Sequence, residues 1–350
     1  MSLTPLPAQP AQTAWPTDEW PLGEPPSGLG RTAFPALVAE AFAAPSTERL
    51  GETHALVIVQ GGRIVAERYG EGFGPDQTYP SWSKAKSITH ALVGLAVGDG
   101  WVDIHAPANV AAWRAAGDPR AAITLDQLLR MSSGLQWLEE YLPDQPSDVI
   151  AMLFGEGKED VAAFAAGFPL AHPPGGYFYY SSGTTNIISR CLAEGLGARD
   201  ADFEAFMRAR LFGPLGMRSA APKFDPAGTF IGSSFCFATA RDFARFGLLY
   251  LRDGVWEGRR LLPQGWVDYA RTPTFQQPGA EADDRYGAHW WLDIGGPGSF
   301  SANGYDGQFT VCAPDLDLIL VRHGATPLDK KDALKAWIGE VIGCFREAGA

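Results

Sequence analysis

Two β-type hairpins stand near opposite ends of this chain, with helical sequence between them. The first joins "HALVIVQ" (54–60) to "RIVAERY" (63–69) through Gly61-Gly62. A Gly-Gly pair suits the positive φ of a two-residue hairpin turn. The second lies in "GQFTVCAPDLDLILVRHG", where two β runs flank a Pro-Asp turn. Strands near both ends and helices in the middle argue for one antiparallel sheet, built from the N- and C-terminal parts and flanked by helices. The expected fold class is α/β of the α+β type. Residues 31–104 and 226–350 form the sheet domain, 105–225 an inserted helical domain, and 1–30 an extended N-terminal segment ordered through Trp15 and Trp20.

The spacing of apolar residues supplies the helices. One runs from about Ser83 to Gly98. "TLDQLLRMSSGL" starts at an N-cap, Thr124, and stops at Gly134. "SDVIAMLFG", "EDVAAFAAGF", "TTNIISRCLAEGLG" and "ADFEAFMRARLFGPLGM" read as four more. Later come "TARDFARFGLLYLRDG", "LPQGWVDYAR" and a closing amphipathic helix in "KKDALKAWIGEVIGCFREA", while "RYGAHWWLDI" is strand-like.

Composition removes several function classes. The 350 residues carry a formal net charge of −12 with no basic stripe, so a nucleic-acid partner is not expected. No apolar run approaches the ~20 residues of a membrane span, and the N-terminus lacks the apolar centre of a secretory signal, so a cytoplasmic location is expected. The four cysteines sit in apolar settings without a C-x-x-C pair and read as free thiols. The six histidines show no H-E-x-x-H or H-x-H spacing, so neither metal nor other cofactor is expected. No G-x-S-x-G elbow occurs, and "GEGFG" lacks the strand–turn–helix setting of a dinucleotide loop.

The chemistry concentrates in "SWSKAKS" (81–87), which sets Ser81 three residues before Lys84 and Ser83 three before Lys86. Residues i and i+3 share a helix face, so hydroxyl and amine can meet. An amine in a dry cleft loses proton affinity and can act as a base on the serine. Helical periodicity alone does not separate the two registers.

Three further stretches follow in order: "SSGL" (132–135), "PPGGYFYYSSG" and "SANGYDGQFTV". With "SWSKAKSITHALVG", "LFGPLGM" and "TARDFARFGLLYLRDG", they resemble, over nearly the whole chain, the penicillin-binding-protein-like serine hydrolases. That group includes class C β-lactamases, DD-peptidases, related esterases and the 6-aminohexanoate-dimer hydrolases, whose branch looks nearest. The resemblance implies a β-lactamase/transpeptidase-like fold and selects the second register through "KSIT". Ser83 is then the nucleophile and Lys86 its base; Ser81 is left as a cap, and Lys84 as solvent-facing or acid-paired. Tyr180 matches the family's proton-shuttling tyrosine, stabilised as phenolate by the lysine, with Ser182 in that motif's third, substrate-binding position. The third motif falls on Ala302-Asn303-Gly304. Asn303 and Gly304 would bind substrate, Gly304 through close backbone approach, and the Ser83 and Tyr305 amides would form the oxyanion hole.

Ala302 stands where the family carries a lysine that meets the substrate carboxylate. That departure favours an ester or amide without the carboxylate over a lactam, unless Arg285, His289 or His323 restores the cation. No Glu occupies the deacylating position of class A enzymes, so water activation falls to Tyr180 and Lys86. The reading is thus a serine hydrolase, a carboxylesterase or amidase, acting on a small ester, amide or lactam. The alternatives are a β-lactamase or DD-peptidase on the same site and a catalytically silent binding scaffold. Trp291 or Trp290 would wall the pocket while the other packs in the core, and Glu139-Glu140 could line the cleft, although such a pair is more often a solvated face. His90 and His172 read as structural. Oligomeric state is not legible.

Overall fold

The computed structural model describes residues 3–43, 48–142, 145–274 and 285–349. Its main sheet has six antiparallel strands: β1 (Glu52–Gln60), β2 (Arg63–Tyr69), β3 (Trp291–Leu292), β4 (Phe300–Gly304), β5 (Gln308–Ala313) and β6 (Leu318–Ala325). The order across the sheet is β2-β1-β6-β5-β4-β3. The two sequence hairpins are β1–β2 and β5–β6, and they join at the centre, where Ile58 pairs with Leu320 and Val57 with Val321. Gly61 and Gly62 turn the first hairpin at φ 57° and 75°, which a side chain would resist.

Both faces of this sheet are covered, which is why its strands read as nearly continuous apolar runs. On one face, Leu56, Ile58, Leu318 and Leu320 pack against helices α1 (Phe34–Ala41) and α10 (Lys331–Gly349). On the other, Ala55, Val57, Val59, Ile319 and Val321 join a larger core with α2 (Lys84–Gly98) and α8 (Ala240–Leu251). Between α2 and α8 come α3 (Leu125–Leu129), α4 (Asp148–Phe154), α5 (Val161–Ala166), α6 (Ser182–Leu196) and α7 (Asp200–Met207); α9 is Trp266–Arg271. We propose keeping 105–225 as the inserted helical domain; its apolar residues share one continuous core with the sheet, so the division marks a layer rather than an independent unit.

Several local expectations need correction. Thr124 caps α3 as expected, in a capping box with Gln127, but the helix stops at Leu129. Met131 then takes φ 54°, and Gly134 lies in a loop whose carbonyl accepts from the Ala171 and His172 amides. Within "RYGAHWWLDI" only Trp291–Leu292 pairs as strand, because the chain turns back at His289 (φ 57°) and bridges Tyr286 to Trp291. Ser81 does not cap α2. Its hydroxyl donates to the Ser234 carbonyl (3.0 Å) and accepts from the Cys236 amide (2.9 Å).

The N-terminal segment is held by arginines from the far half of the chain. Arg245 donates to the Pro16 carbonyl (2.6 Å), Arg252 to that of Pro7 (3.3 Å) and Arg271 to that of Thr4 (2.5 Å). Trp15 packs on Trp256, and Trp20 donates to the Arg241 carbonyl. All four cysteines are free thiols, and no described helix is long and apolar enough to cross a membrane.

Candidate active site

The first turn of α2 brings the predicted residues together. Trp82 sits at φ 43° just before it, a conformation a bulky residue adopts only when its surroundings enforce it. Those surroundings are Ser81, tied to residues 234 and 236, and Gly304 of β4. A Cβ on Gly304 would lie 2.4 Å from the Ser81 carbonyl oxygen and 3.1 Å from Trp82 Cβ. The close approach predicted for Gly304 is therefore to the protein's own nucleophile turn. This packing sets Ser83 at the head of the helix, where backbone amides have no helical acceptor. Neither the Ser83 nor the Tyr305 amide donates in the turn and cap hydrogen bonds of the described residues.

Lys86 lies one turn on and is buried. Its Nζ is 3.0 Å from Ser83 Oγ, 2.9 Å from Ser182 Oγ and 3.0 Å from the Ser233 carbonyl oxygen. Burial pulls its pKa down to about 8, and the negative charge of Glu139 partly offsets that. Ser182 lies behind the lysine, 1% exposed, and donates to Glu139 Oε1 at 2.5 Å. It is therefore absent from the residues that line the cleft, and its contact is with the Lys86 amine.

Tyr180 immediately precedes Ser181, the residue that caps α6. Its ring is set against Trp291 and Tyr286, at centroid distances of 5.2 and 5.9 Å, and Lys86 Nζ is 4.8 Å from its centroid. Burial and the Glu139 charge push the phenol well above its ordinary range, against a smaller opposing effect of Ser83. The expected phenolate is thus disfavoured, first by burial and then by the Glu139 charge, and Tyr180 carries its proton.

Ser83 opens into a cleft of about 420 Å³, walled by Tyr180, Trp291, Asn303, Gly304, Tyr305 and Tyr141. Trp290 is buried in the core. Asn303 faces the cleft with its side-chain carbonyl oxygen buried and unpaired. Ala302 is buried, and none of the three residues considered as replacement cations serves. Arg285 is paired to Asp293 at 2.6 Å. His289 is held between Thr185 and the Leu129 carbonyl, its pKa pulled by burial to about 3. His323 is buried beside Lys84. Lys331 and Lys335 of α10 are the lysines among the residues that line the cleft.

Sequence reasoning weighs Glu139-Glu140 as lining the cleft but prefers a solvated face, and it misplaces Lys84. Glu139 and Glu140 both line the cleft, and Glu139 accepts from Trp137, Tyr141 and Ser182. The spacing Trp137-x-Glu139-x-Tyr141, a carboxylate between two aromatic donors, was the available signal. Lys84 faces neither solvent nor an acid. It is 1% exposed, with Nζ 3.3 Å from His323 Nε2 and 3.4 Å from the centroid of the Phe243 ring.

Comparison with known proteins agrees with this geometry. A 6-aminohexanoate-dimer hydrolase of Paenarthrobacter ureafaciens is 26% identical over 297 residues, covering 80% of this chain and 75% of that protein. The structure of a Bacillus anthracis protein described as a 6-aminohexanoate-dimer hydrolase superposes with TM-score 0.77 at 21% identity, over 99% of this chain and 91% of that one. A penicillin-binding-protein homologue of Caulobacter crescentus gives TM-score 0.69 at 16% identity, over 92% and 99%. The family model for beta-lactamase matches residues 39–338. With that match spanning most of its length, the chain belongs to the beta-lactamase family.

Proposed function

We propose that this protein is a serine hydrolase that cleaves an ester or amide through an acyl-enzyme on Ser83. The observation that carries the reading is how the hydrogen bonds of Lys86 are occupied. Ser182 gives its own proton to Glu139, so it can only accept from the lysine, and the Ser233 carbonyl is also an acceptor. An uncharged Lys86 therefore spends both hydrogens on these two partners and turns its lone pair to the Ser83 hydroxyl. That is the arrangement of a base acting on a nucleophile.

Ser83 Oγ attacks the carbonyl carbon while its proton passes to Lys86. The oxyanion collects against the Ser83 and Tyr305 amides. Collapse expels the alcohol or amine, protonated by the Tyr180 hydroxyl, which recovers a proton from the Lys86 ammonium. Water then repeats the sequence on the acyl-enzyme, and Ser83 leaves with its proton restored. Asn303 lines the cleft, where its side-chain amide can hydrogen-bond a substrate amide group, which supports amides alongside esters. The 6-aminohexanoate-dimer hydrolase relative gives the same direction.

A fluorophosphonate probe should label wild-type protein at Ser83, and Ser83→Ala should lose both the label and turnover of a nitrophenyl ester. Full esterase activity in Ser83→Ala would reject the proposal. A β-lactamase reading has one observation in its favour: Lys331 and Lys335, the latter 3.6 Å from Asp332, are among the residues that line the cleft. Rapid turnover of nitrocefin, lost in Lys331→Ala/Lys335→Ala, would establish it over the ester and amide reading.

A further inference from the structure

Lys84 begins a buried chain of hydrogen bonds that crosses the sheet. Its Nζ meets His323 Nε2 at 3.3 Å, and His323 Nδ1 meets Gln308 Oε1 at 2.8 Å. Gln308 Nε2 lies 2.6 Å from the Gly324 carbonyl oxygen and 3.2 Å from that of Asp306. The donors and acceptors along it form one consistent set. The Gln308 amide nitrogen can only donate, so its oxygen is the atom turned to His323. His323 then carries its proton on Nδ1 and accepts at Nε2, and the Lys84 amine donates there whether charged or not.

The two ends of this chain each adjoin one half of the proposed oxyanion site. Lys84 follows Ser83 directly, and Asp306 follows Tyr305. The Tyr305–Gly307 turn needs fixing, because Asp306 takes φ 57°. Arg322 clamps the same turn from the other side, with Nη1 2.9 Å from the Gly307 carbonyl oxygen. The strut itself is packed tightly. Lys84, His323 and Gln308 are each at most 2% exposed, Tyr79 stacks on His323 at 4.4 Å, and Phe243 lies beneath the lysine. A long, buried, polar side chain with no carboxylate partner is costly to keep for packing alone.

We infer that Lys84, His323 and Gln308 act as a strut that fixes the Tyr305 amide relative to Ser83, which makes Lys84 a positioning residue for the oxyanion hole. This inference rests on the serine-hydrolase reading. Lys84→Met keeps the length and removes the donor; Gln308→Met removes the side-chain link from His323 to the Asp306 carbonyl, which the Thr326 amide (3.0 Å) and Arg322 Nη1 (3.4 Å) also hold. Each is expected to lower kcat on a nitrophenyl ester by about tenfold with KM within about twofold, since the loss falls on transition-state alignment. The double variant should lose little more than either single one, because the two changes break the same link.

Rates are compared at a temperature where circular dichroism shows the variant folded, and whichever variant folds decides. A purely structural role would lower Tm and leave kcat of the folded protein unchanged. A folded Lys84→Met or Gln308→Met with wild-type kcat overturns the strut, and so do fully multiplicative losses in the double variant. If the fluorophosphonate fails to label wild-type Ser83, the hydrolase reading fails instead, and the two failures remain distinct.

Discussion

The two lysines of α2's first turn occupy opposite sides of one helix. Both are 1% exposed, and burial lowers both pKa values, that of Lys84 well below the ordinary lysine range. On the cleft side, Lys86 is ringed by two hydroxyls and a carbonyl; burial lowers its pKa to about 8, with the nearby charge of Glu139 opposing the fall. On the sheet side, Lys84 has an imidazole and a phenyl ring and no carboxylate within reach. Burial alone makes an amine a poor cation. Partners decide whether it becomes a base at useful pH or a fixed hydrogen-bond donor.

The sharpest way to break this comparison is to remove each amine in turn. Lys86→Met should lower kcat by about 10²–10⁴-fold, the usual worth of a general base, against the tenfold expected for Lys84→Met. Equal losses in the two variants would erase the distinction. Tyr180→Phe should cost about 10²-fold in kcat on an amide and less on a nitrophenyl ester, whose leaving group needs no proton. Gly304→Ala comes next. Its Cβ would meet the Ser81 carbonyl at 2.4 Å and push β4 from the nucleophile turn, for a loss of roughly tenfold in kcat.

The pH dependence sharpens the cleft side. Lys86 works as the free amine, so kcat/KM should rise about tenfold per pH unit below about 8 and level above it. Glu139 raises the lysine's pKa, so Glu139→Gln should move that limb to lower pH, read from the same profile. An unmoved limb would mean that Lys86 does not set it. The smallest effect is expected for Ser81→Ala: a Tm loss corresponding to about 1–3 kcal/mol, from leaving the buried Cys236 amide unpaired, with kcat of the folded protein nearly unchanged.

The fold was legible where punctuation was local. Gly61-Gly62 and the Pro-Asp turn marked hairpins that the structure joins into one sheet. Trp290 and Trp291 alternate between core and cleft. The site was legible at Ser83, Lys86 and Tyr180 because a family motif names them; periodicity alone left two registers open. Lys84 and Glu139 were misjudged for one shared reason. Their decisive partners, His323 and Ser182, lie far along the chain, and only the tertiary fold brings them near. The strand expected over "RYGAHWWLDI" failed locally, since the positive φ at His289 reverses the chain before a ladder can form.

The central pairing of the sheet also has a consequence in time. β1 leaves the ribosome early with β2 as its hairpin partner, and its other neighbour, β6, is among the last strands made. Carbonyls near the start of the chain wait likewise for guanidinium groups from residues 245–271. Such long-range closure is slow and exposes apolar edges while it is pending. A nascent chain halted short of β6 would therefore keep its first hairpin unsheltered, and chaperone demand during synthesis should fall sharply once that strand emerges.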